Sequence, residues 1–207
     1  GHYPTLIHEM DFDEAVALRA VAPFQIGATI VDLDASNVRF RGGADGDYIP
    51  TEIANIMRQA PVLEAAATIR YEDPETSELP TLVCCATRQH AVTVWAYFAA
   101  IAKSKGRSAP EILLHETRNR EQIYQRFEQG CSDTIIAVAV PMRGWDSPAC
   151  KLVIDLSPTT SMVRAKQKWC RPLTLANNKV ARIELVWPRR LRVRPALPGD
   201  VFGPSLA

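Results

Sequence analysis

The sequence predicts an α/β domain with a mainly parallel β-sheet and helices on both faces. From residue 80 onward, short apolar runs alternate with amphipathic segments, which is the order of repeated strand–helix units. The runs "TLVCC", "TIIAVAV" and "KLVIDL" are almost apolar throughout, as strands covered on both sides are. With 207 residues, 47% of them hydrophobic, the chain can bury a sizeable core.

The first 80 residues predict a mixed N-terminal extension. "DFDEAVALRA" reads as a short helix capped by Asp11. The side chain of Glu14 can reach back to the start of this helix. "FQIGATIVDL" predicts a strand, and the glycines of "RGGADGDYIP" predict a loop. Residues 51–70 have helical apolar spacing that Pro61 interrupts, which leaves two helices or one kinked helix. "YEDPETSELP" is a polar linker.

The rest of the chain predicts five strands and three helices. The strands are "TLVCCAT", "PEILLHE", "DTIIAVAV", "KLVIDLS" and "KVARIELVW". The helices are "HAVTVWAYFAAIAK", "NREQIYQRFEQG", which Gly130 closes, and "TSMVRAKQKW". The Pro-rich end, "PRRLRVRPALPGDVFGPSLA", predicts a tail on the surface.

The composition argues against several classes of protein. The net charge of +1 gives no overall field for nucleic acid, so any such contact needs a local patch. No apolar run reaches the roughly 18 residues of a membrane span. None of the five cysteines forms a C-x-x-C pair, and no two histidines have metal-ligand spacing. We therefore expect no metal site, no membrane partner and a reduced, cytoplasmic chain.

The loop after "DTIIAVAV" contains the turn "RGWD", which ends at Asp146. In open α/β sheets, functional groups gather at the carboxyl ends of the strands. A carboxylate there can accept hydrogen bonds from a ribose. The other interpretation is a plain turn with a surface carboxylate, since short motifs have many false matches.

Five pieces in one order carry a resemblance. They are "TLVCCATRQHAVTVWAYF", "LLHETRNREQIYQRFEQG", "TIIAVAVPMRGWDSP", "VIDLSPTTS" and "AKQKWCRP". This order resembles the C-terminal RecA-like domain of superfamily 2 DEAD/DEAH-like helicases of bacterial repair and restriction type. The upstream "APFQI" and "DGDYIPTEI" resemble the bridge into that domain, so about residues 20–185 are covered. The resemblance implies a RecA-like three-layer domain after an N-terminal extension.

The resemblance implies a nucleotide site. Asp146, with Arg143 and Gly144 of the same turn, matches residues that contact the nucleotide or couple two motor domains. Gln167 and Arg171 match the Q-x-x-G-R-x-x-R motif that faces the triphosphate. The Arg171 guanidinium has chemistry that suits phosphate oxygens. Its alternative role is to bond the last carbonyls of the preceding helix.

The resemblance also implies nucleic-acid contacts after the first strand of "TLVCCAT". Thr87, Arg88 and Gln89 match a loop that touches the nucleic-acid backbone, although they equally suit a solvated helix start. Thr159, Thr160 and Ser161 suit a role as caps of the following helix. His90 and His115 are interpreted as packing or surface residues.

The motif departs from the family pattern at two positions. Thr174 stands where the family often has the arginine finger, and losing a finger costs roughly 10³-fold or more in rate. Cys170 replaces a glycine that permits close backbone approach. The stretch is therefore interpreted as a degraded helicase motif.

The sequence contains no G-x-x-x-x-G-K-[ST] loop and no D-E-A-D or D-E-x-H box. In the family, both belong to the first RecA-like domain, which binds most of the ATP and Mg²⁺. We therefore expect the C-terminal motor domain of an ATP-dependent helicase or translocase, inactive alone. Its partners would be the N-terminal RecA-like domain of the same parent protein and single-stranded DNA, with RNA as the second choice. The predicted division is 1–79, extension and bridge; 80–187, RecA-like domain; 188–207, basic tail.

Two rival functions stay open. A degenerate RecA-like module that binds nucleic acid or protein without ATPase function would explain Cys170 and Thr174. A nucleotide-sugar-binding domain of a two-domain transferase has a similar strand–helix rhythm but does not explain the order of the five pieces.

The tail contains the one dense basic run, "RRLRVRP". In an extended chain, Arg190, Arg192 and Arg194 would share one side, and Leu191 and Val193 the other. Three outward guanidiniums suit a phosphate backbone. A solvated strand that balances acidic neighbours is the other interpretation.

Overall fold

A six-stranded, all-parallel sheet forms the centre of the molecule. The computed structural model describes residues 11–43, 46–138 and 146–203. The strands of the sheet, in chain order, are β1 (Phe24–Ala35), β4 (Thr81–Cys85), β5 (Glu111–Leu113), β6 (Thr134–Val138), β7 (Leu152–Asp155) and β8 (Ala181–Leu191). They lie side by side in the order β1-β8-β7-β4-β6-β5. Strands β2 (Phe40–Arg41) and β3 (Asp47–Tyr48) form a separate antiparallel hairpin, whereas the sequence predicted only a loop over residues 41–50.

Seven helices accompany the strands among the described residues. They are α1 (Phe12–Ala17), α2 (Pro50–Met57), α3 (Ala60–Tyr71), α4 (Arg88–Ser104), α5 (Arg120–Glu128), α6 (Met162–Trp169) and α7 (Pro198–Phe202). Asp11 caps α1 as predicted, accepting the amide of Glu14 at 2.7 Å. Pro61 lies in the first turn of α3, so residues 50–71 are two helices. Gly130 follows α5 with a φ of 72°, the left-handed conformation that favours glycine.

The two faces of the sheet bury separate cores, because successive strand side chains point to opposite faces. Val83 and Cys85 of β4 pack in the core that contains α2, α3 and α4. Leu82 and Cys84 pack in the core that contains α5. A third cluster, on β8, contains Trp169 of α6 and other apolar side chains from both ends of the chain. The predicted three-layer architecture is thus confirmed.

The sheet extends beyond the predicted limits of 80 and 187. β1 lies within the predicted extension, yet its backbone pairs along nearly its whole length with β8. At Gly27, a Cβ would come within 3 Å of the carboxyl group of Glu184 on β8, so a larger residue there would require that side chain to move. β8 itself continues to Leu191, inside the predicted tail. Nothing in local sequence reveals such pairing between distant segments.

His90 is a packing residue, as interpreted from the sequence. Its side chain is fully buried at the start of α4, and Nδ1 accepts the amide of Ala86 at 3.3 Å. Burial lowers the pKa of His90 to about 4, from an ordinary value of 6.5. No helix of the described residues is both long and apolar enough to cross a membrane.

The buried His90 should make the chain sensitive to acid. The unfolded chain takes up a proton below about pH 6.5, whereas the folded chain does so only near pH 4. The stabilisation is complete above pH 6.5 and is lost as the pH falls toward 4. We expect His90 to lower the free energy of unfolding by about 2 kcal/mol between pH 7 and pH 5.

Urea unfolding at both pH values would measure this loss. His90→Asn keeps an acceptor for the Ala86 amide but cannot titrate, so its loss between pH 7 and pH 5 should be about 2 kcal/mol smaller. Equal losses in the two proteins would contradict the assignment.

Candidate functional site

Three of the predicted nucleotide residues share one cleft. Asp146, Gln167 and Arg171 line a cleft of about 360 Å³, together with Lys166 and Cys170. Gln167 is on the exposed side of α6, and Arg171 opens the 3-10 turn Arg171–Leu173 that follows it. The predicted Arg143 and Gly144 lie outside the described residues. The cleft thus offers two cations, an amide and a carboxylate beside the apolar side chain of Val163.

A buried ion pair anchors the helix that carries Gln167. Lys168 of α6 and Asp155 at the end of β7 are 4% and 0% exposed, and Nζ lies 2.7 Å from Oδ2 and 2.9 Å from Oδ1. Nζ also donates to the backbone oxygen of Ser157 at 2.6 Å. The indole of Trp169 donates to Asp155 at 2.8 Å. Because Lys168 and Trp169 face inward, their neighbour Gln167 must face outward.

Asp155 is saturated with donors, which is what allows a carboxylate to remain buried. Besides Lys168 and Trp169, it accepts both the amide and the hydroxyl of Ser157 at 2.9 Å. This pair was not predicted from the sequence. The features that could have indicated it are a lysine beside Trp169 on the inward face of α6 and an aspartate that ends an apolar strand.

Thr174, at the position of the expected arginine finger, contacts Asp146. The hydroxyl of Thr174 donates to the carboxylate of Asp146, so the two motifs touch directly. The buried ammonium of Lys179 donates to the backbone oxygens of Thr174, at 2.8 Å, and Pro148, at 3.1 Å. These contacts tie the loop before β7 to the loop before β8. Burial raises the pKa of Cys170 to about 11, so its thiol is neutral in the cleft.

The hairpin of β2 and β3 is anchored on the carboxyl-end edge by Asp47. This buried carboxylate accepts the hydroxyl of Thr159, the amide of Thr160 at 3.0 Å and the guanidinium of Arg164 at 3.0 Å. Of the three predicted caps, only Ser161 caps α6, accepting the amide of Arg164 at 3.4 Å. Thr159 and Thr160 instead hold the hairpin, because both donate hydrogen bonds to the carboxylate of Asp47. Asp47 was missed, since no local pattern marks it.

A second cleft, of about 330 Å³, lies between this hairpin and α6. Its lining includes Asp47, Ala86 and Gln167. Gln167 therefore borders both clefts, one on each side of α6.

The residues predicted to touch nucleic acid follow β4, at the carboxyl-end edge of the sheet. Thr87 caps α4, accepting the amide of His90 at 3.3 Å. Arg88 pairs with Glu116 at 2.6 Å, and both side chains are largely exposed. Gln89 is exposed. The capping role of Thr87 does not prevent these residues from contacting nucleic acid, so that contact stays a prediction.

The arginines of the predicted tail face outward, as their spacing predicts. Arg190, Arg192 and Arg194 are exposed, whereas Leu191 and Val193 pack against the core. Acidic neighbours lie near two of the guanidiniums: Asp34 is 3.6 Å from Arg190, and Asp200 is 3.2 Å from Arg194. The segment itself is fixed to the domain, since the amide of Ala196 donates to Thr159 at 2.8 Å and Phe202 is buried beside Trp169. Contact of these arginines with nucleic acid stays a prediction.

Within the described ranges, no three His, Cys, Asp or Glu side chains are grouped so that they could hold a metal ion.

The sequence profile of the helicase conserved C-terminal domain matches residues 69–173, about half of the chain. The chain therefore belongs to the helicase conserved C-terminal domain family. A comparison with curated proteins found no match.

Solved structures show the same fold at low identity. The ATP-dependent Type ISP restriction-modification enzyme LlaBIII, solved bound to DNA, is similar over 90% of this chain and 13% of its own, with 14% identity and a TM-score of 0.61. The C-terminal part of the Fun30 ATPase domain is similar over 65% and 43%, with 12% identity and a TM-score of 0.53. E. coli DEAD-box protein SrmB is similar over 80% and 78%, with 14% identity and a TM-score of 0.51. The fold is therefore RecA-like.

Removing the ammonium of the buried pair should destabilise the domain strongly. Lys168→Met leaves the Asp155 carboxylate buried without its counter-charge, which should lower the free energy of unfolding by about 3–5 kcal/mol. Lys166→Met, on the exposed side of the same helix, is the matched control and should cost less than about 1 kcal/mol. Denaturant unfolding of the three proteins would measure both values, and similar costs would show that the pair is not the anchor of α6.

Proposed function

We propose that the chain is the C-terminal motor domain of an ATP-dependent nucleic-acid helicase or translocase. It would supply one wall of an ATP cleft and part of the nucleic-acid track. The N-terminal RecA-like domain of the same parent protein would bind most of the ATP and the Mg²⁺. The observation that supports this best is the meeting of Asp146, Gln167 and Arg171 in one cleft, in a chain of the helicase C-terminal family.

The chemistry of this cleft suits a nucleotide held between two domains. Arg171 offers a planar, charged donor for phosphate oxygens, and Gln167 offers an amide beside it. Asp146 is exposed and can accept the hydroxyls of a ribose through the oxygens that Thr174 leaves available. Because the chain contains no phosphate-cradling loop, these groups can only complete a site that another domain begins.

A degenerate module without ATPase function is the alternative, and one observation favours it. Thr174 brings no charge to the cleft and is engaged with Asp146. The two functions differ in what they require of Arg171. A motor needs its charge during phosphoryl transfer, whereas a degenerate module does not.

Turnover in the parent protein should depend on Arg171 far more than on Thr174. Arg171→Ala removes the guanidinium from the phosphate-facing motif, so ATP turnover should fall by about 100-fold or more. Thr174→Ala is the matched control, and its effect should be less than about tenfold, since it removes only the bond to Asp146. A steady-state ATPase assay with single-stranded DNA would compare them, and the isolated chain should show no turnover.

Equal turnover in Arg171→Ala and the unaltered parent would favour the degenerate module. Arg171-dependent turnover by the isolated chain would contradict the assignment of most of the site to another domain.

The outward arginines should contribute to the affinity for single-stranded DNA in a salt-dependent way. Replacing Arg190, Arg192 and Arg194 by Ala removes up to three phosphate contacts, each worth a slope of roughly 0.7 in log affinity against log salt. We expect the slope to fall by about 1.4–2.1, as measured by fluorescence anisotropy across a salt series. A variant with Lys103, Lys105 and Arg126 replaced by Ala is the control for net charge, because it removes three exposed charges elsewhere on the domain. Coinciding slopes for the triple variant and the unaltered chain would show that this segment does not touch the strand.

A further inference from the structure

One edge strand of the sheet, β1, lacks the usual protection against pairing with another chain over its first part. Residues 24–31 contain no charged residue and no proline, and 50% of Ile30 is exposed. The second part of β1 is protected, because it carries Asp32 and Asp34 and its register with β8 shifts there. The opposite edge strand, β5, has only three residues. A long, uncharged edge is a surface on which another strand can pair.

The pairing with β8 fixes which backbone groups of β1 face outward. The amide of Ala181 on β8 donates to the carbonyl of Pro23 at 2.8 Å, so the backbone of Pro23 faces β8. Because a strand repeats every two residues, alternate residues from Pro23 onward face β8, and the residues between them face away. The outward-facing residues are Phe24, Ile26, Ala28 and Ile30. Among the described residues, no backbone hydrogen bond reaches the outward groups of these four.

The outward-facing residues match those of a second copy that runs antiparallel. With Gly27 of both copies at the two-fold axis, Phe24 lies opposite Ile30, and Ile26 lies opposite Ala28. Each of the four then exchanges backbone hydrogen bonds with the residue opposite it. Their side chains are all apolar and share one face of the sheet. We propose that two copies of this chain dimerise through the outer edges of β1, which joins their sheets into one.

The polar and charged groups near this edge are compatible with the dimer. On the other face of the strand, Gln25 lies opposite Thr29, and Asp32 lies just beyond the paired segment. The carboxyl group of Glu184, close to the axis, is 3.2 Å from the guanidinium of Arg182, so the two copies bring ion pairs together there. The net charge of each chain is only +1, and a charge near zero favours association. The dimer would form whether or not the chain binds a nucleotide.

Hydrogen exchange at different protein concentrations, measured by NMR on the 207-residue chain, tests this edge residue by residue. The amides of Ile26, Ala28 and Ile30 exchange fast in a monomer, whereas in the dimer they donate to the second copy. Their exchange should therefore slow by about tenfold or more as the concentration rises. The amides of Gly27 and Thr29, which bond to β8 in either state, should change far less. Sedimentation velocity over the same concentrations should show a monomer–dimer equilibrium.

Ala28→Pro removes an outward amide and leaves the pairing with β8 in place, since proline is tolerated where the amide of an edge strand faces solvent. By symmetry the dimer loses two hydrogen bonds, so its dissociation constant should rise by about tenfold or more. Ile30→Lys places a charge on the edge, as natural edge strands do, and should have a similar effect. Met162→Lys is the matched control, because Met162 is 57% exposed on α6 and away from β1. It should leave the dissociation constant unchanged.

Urea unfolding would first establish that each variant is folded, and Ile30→Lys decides alone if Ala28→Pro is not. A chain that sediments as a monomer at every concentration would overturn the proposal. A dimer that folded Ile30→Lys leaves intact, or in which the amides of Ile26 and Ala28 still exchange fast, has its interface elsewhere and would also overturn it. Protection of these amides in the monomer would show that another part of the chain covers the edge, which is equally contrary to the proposal.

Discussion

The ion pair between Lys168 and Asp155 is the contact on which the rest of the site depends. It joins α6 to the carboxyl end of a central strand in an environment that excludes water. A buried pair of this kind is held in one arrangement, because any other would leave a charge without a partner. The pair thereby decides which side of α6 meets the sheet, and hence that Gln167 faces outward and that Arg171 starts the next turn beside it.

Segments from both ends of the chain are bound to this same region. Asp47 ties the β2–β3 hairpin to the loop in front of α6, and Tyr48 donates its hydroxyl to the backbone of Val193 in the C-terminal segment. On the other face of the sheet, Phe12 and Phe202 come together next to Trp169. The helicase motifs therefore lie between flanking segments that are parts of the same packed structure.

The sequence predicted what depends on local pattern. The strand–helix alternation and the cap at Asp11 are encoded by neighbouring residues, and the structure confirms them. The sequence left two helices or one kinked helix open around Pro61, and the structure has two. The meeting of Asp146, Gln167 and Arg171 followed from the order of the motifs. The anchoring role of Asp47 and the pairing of β1 with β8 join residues more than 100 positions apart. Neither leaves a local trace, so neither could be predicted from a single sequence.

The pairing of β1 with β8 has a consequence for how this domain can be cut. The family match at 69–173 leaves out both strands, although together they form one side of the six-stranded sheet. A polypeptide trimmed to those limits would end the sheet at β7 and expose its backbone donors and acceptors to other molecules. It would also uncover Trp169, whose ring packs in the cluster on β8. The unit that folds is thus wider than the unit that homology recognises, and limits for recombinant production should include residues 24–35 and 181–202.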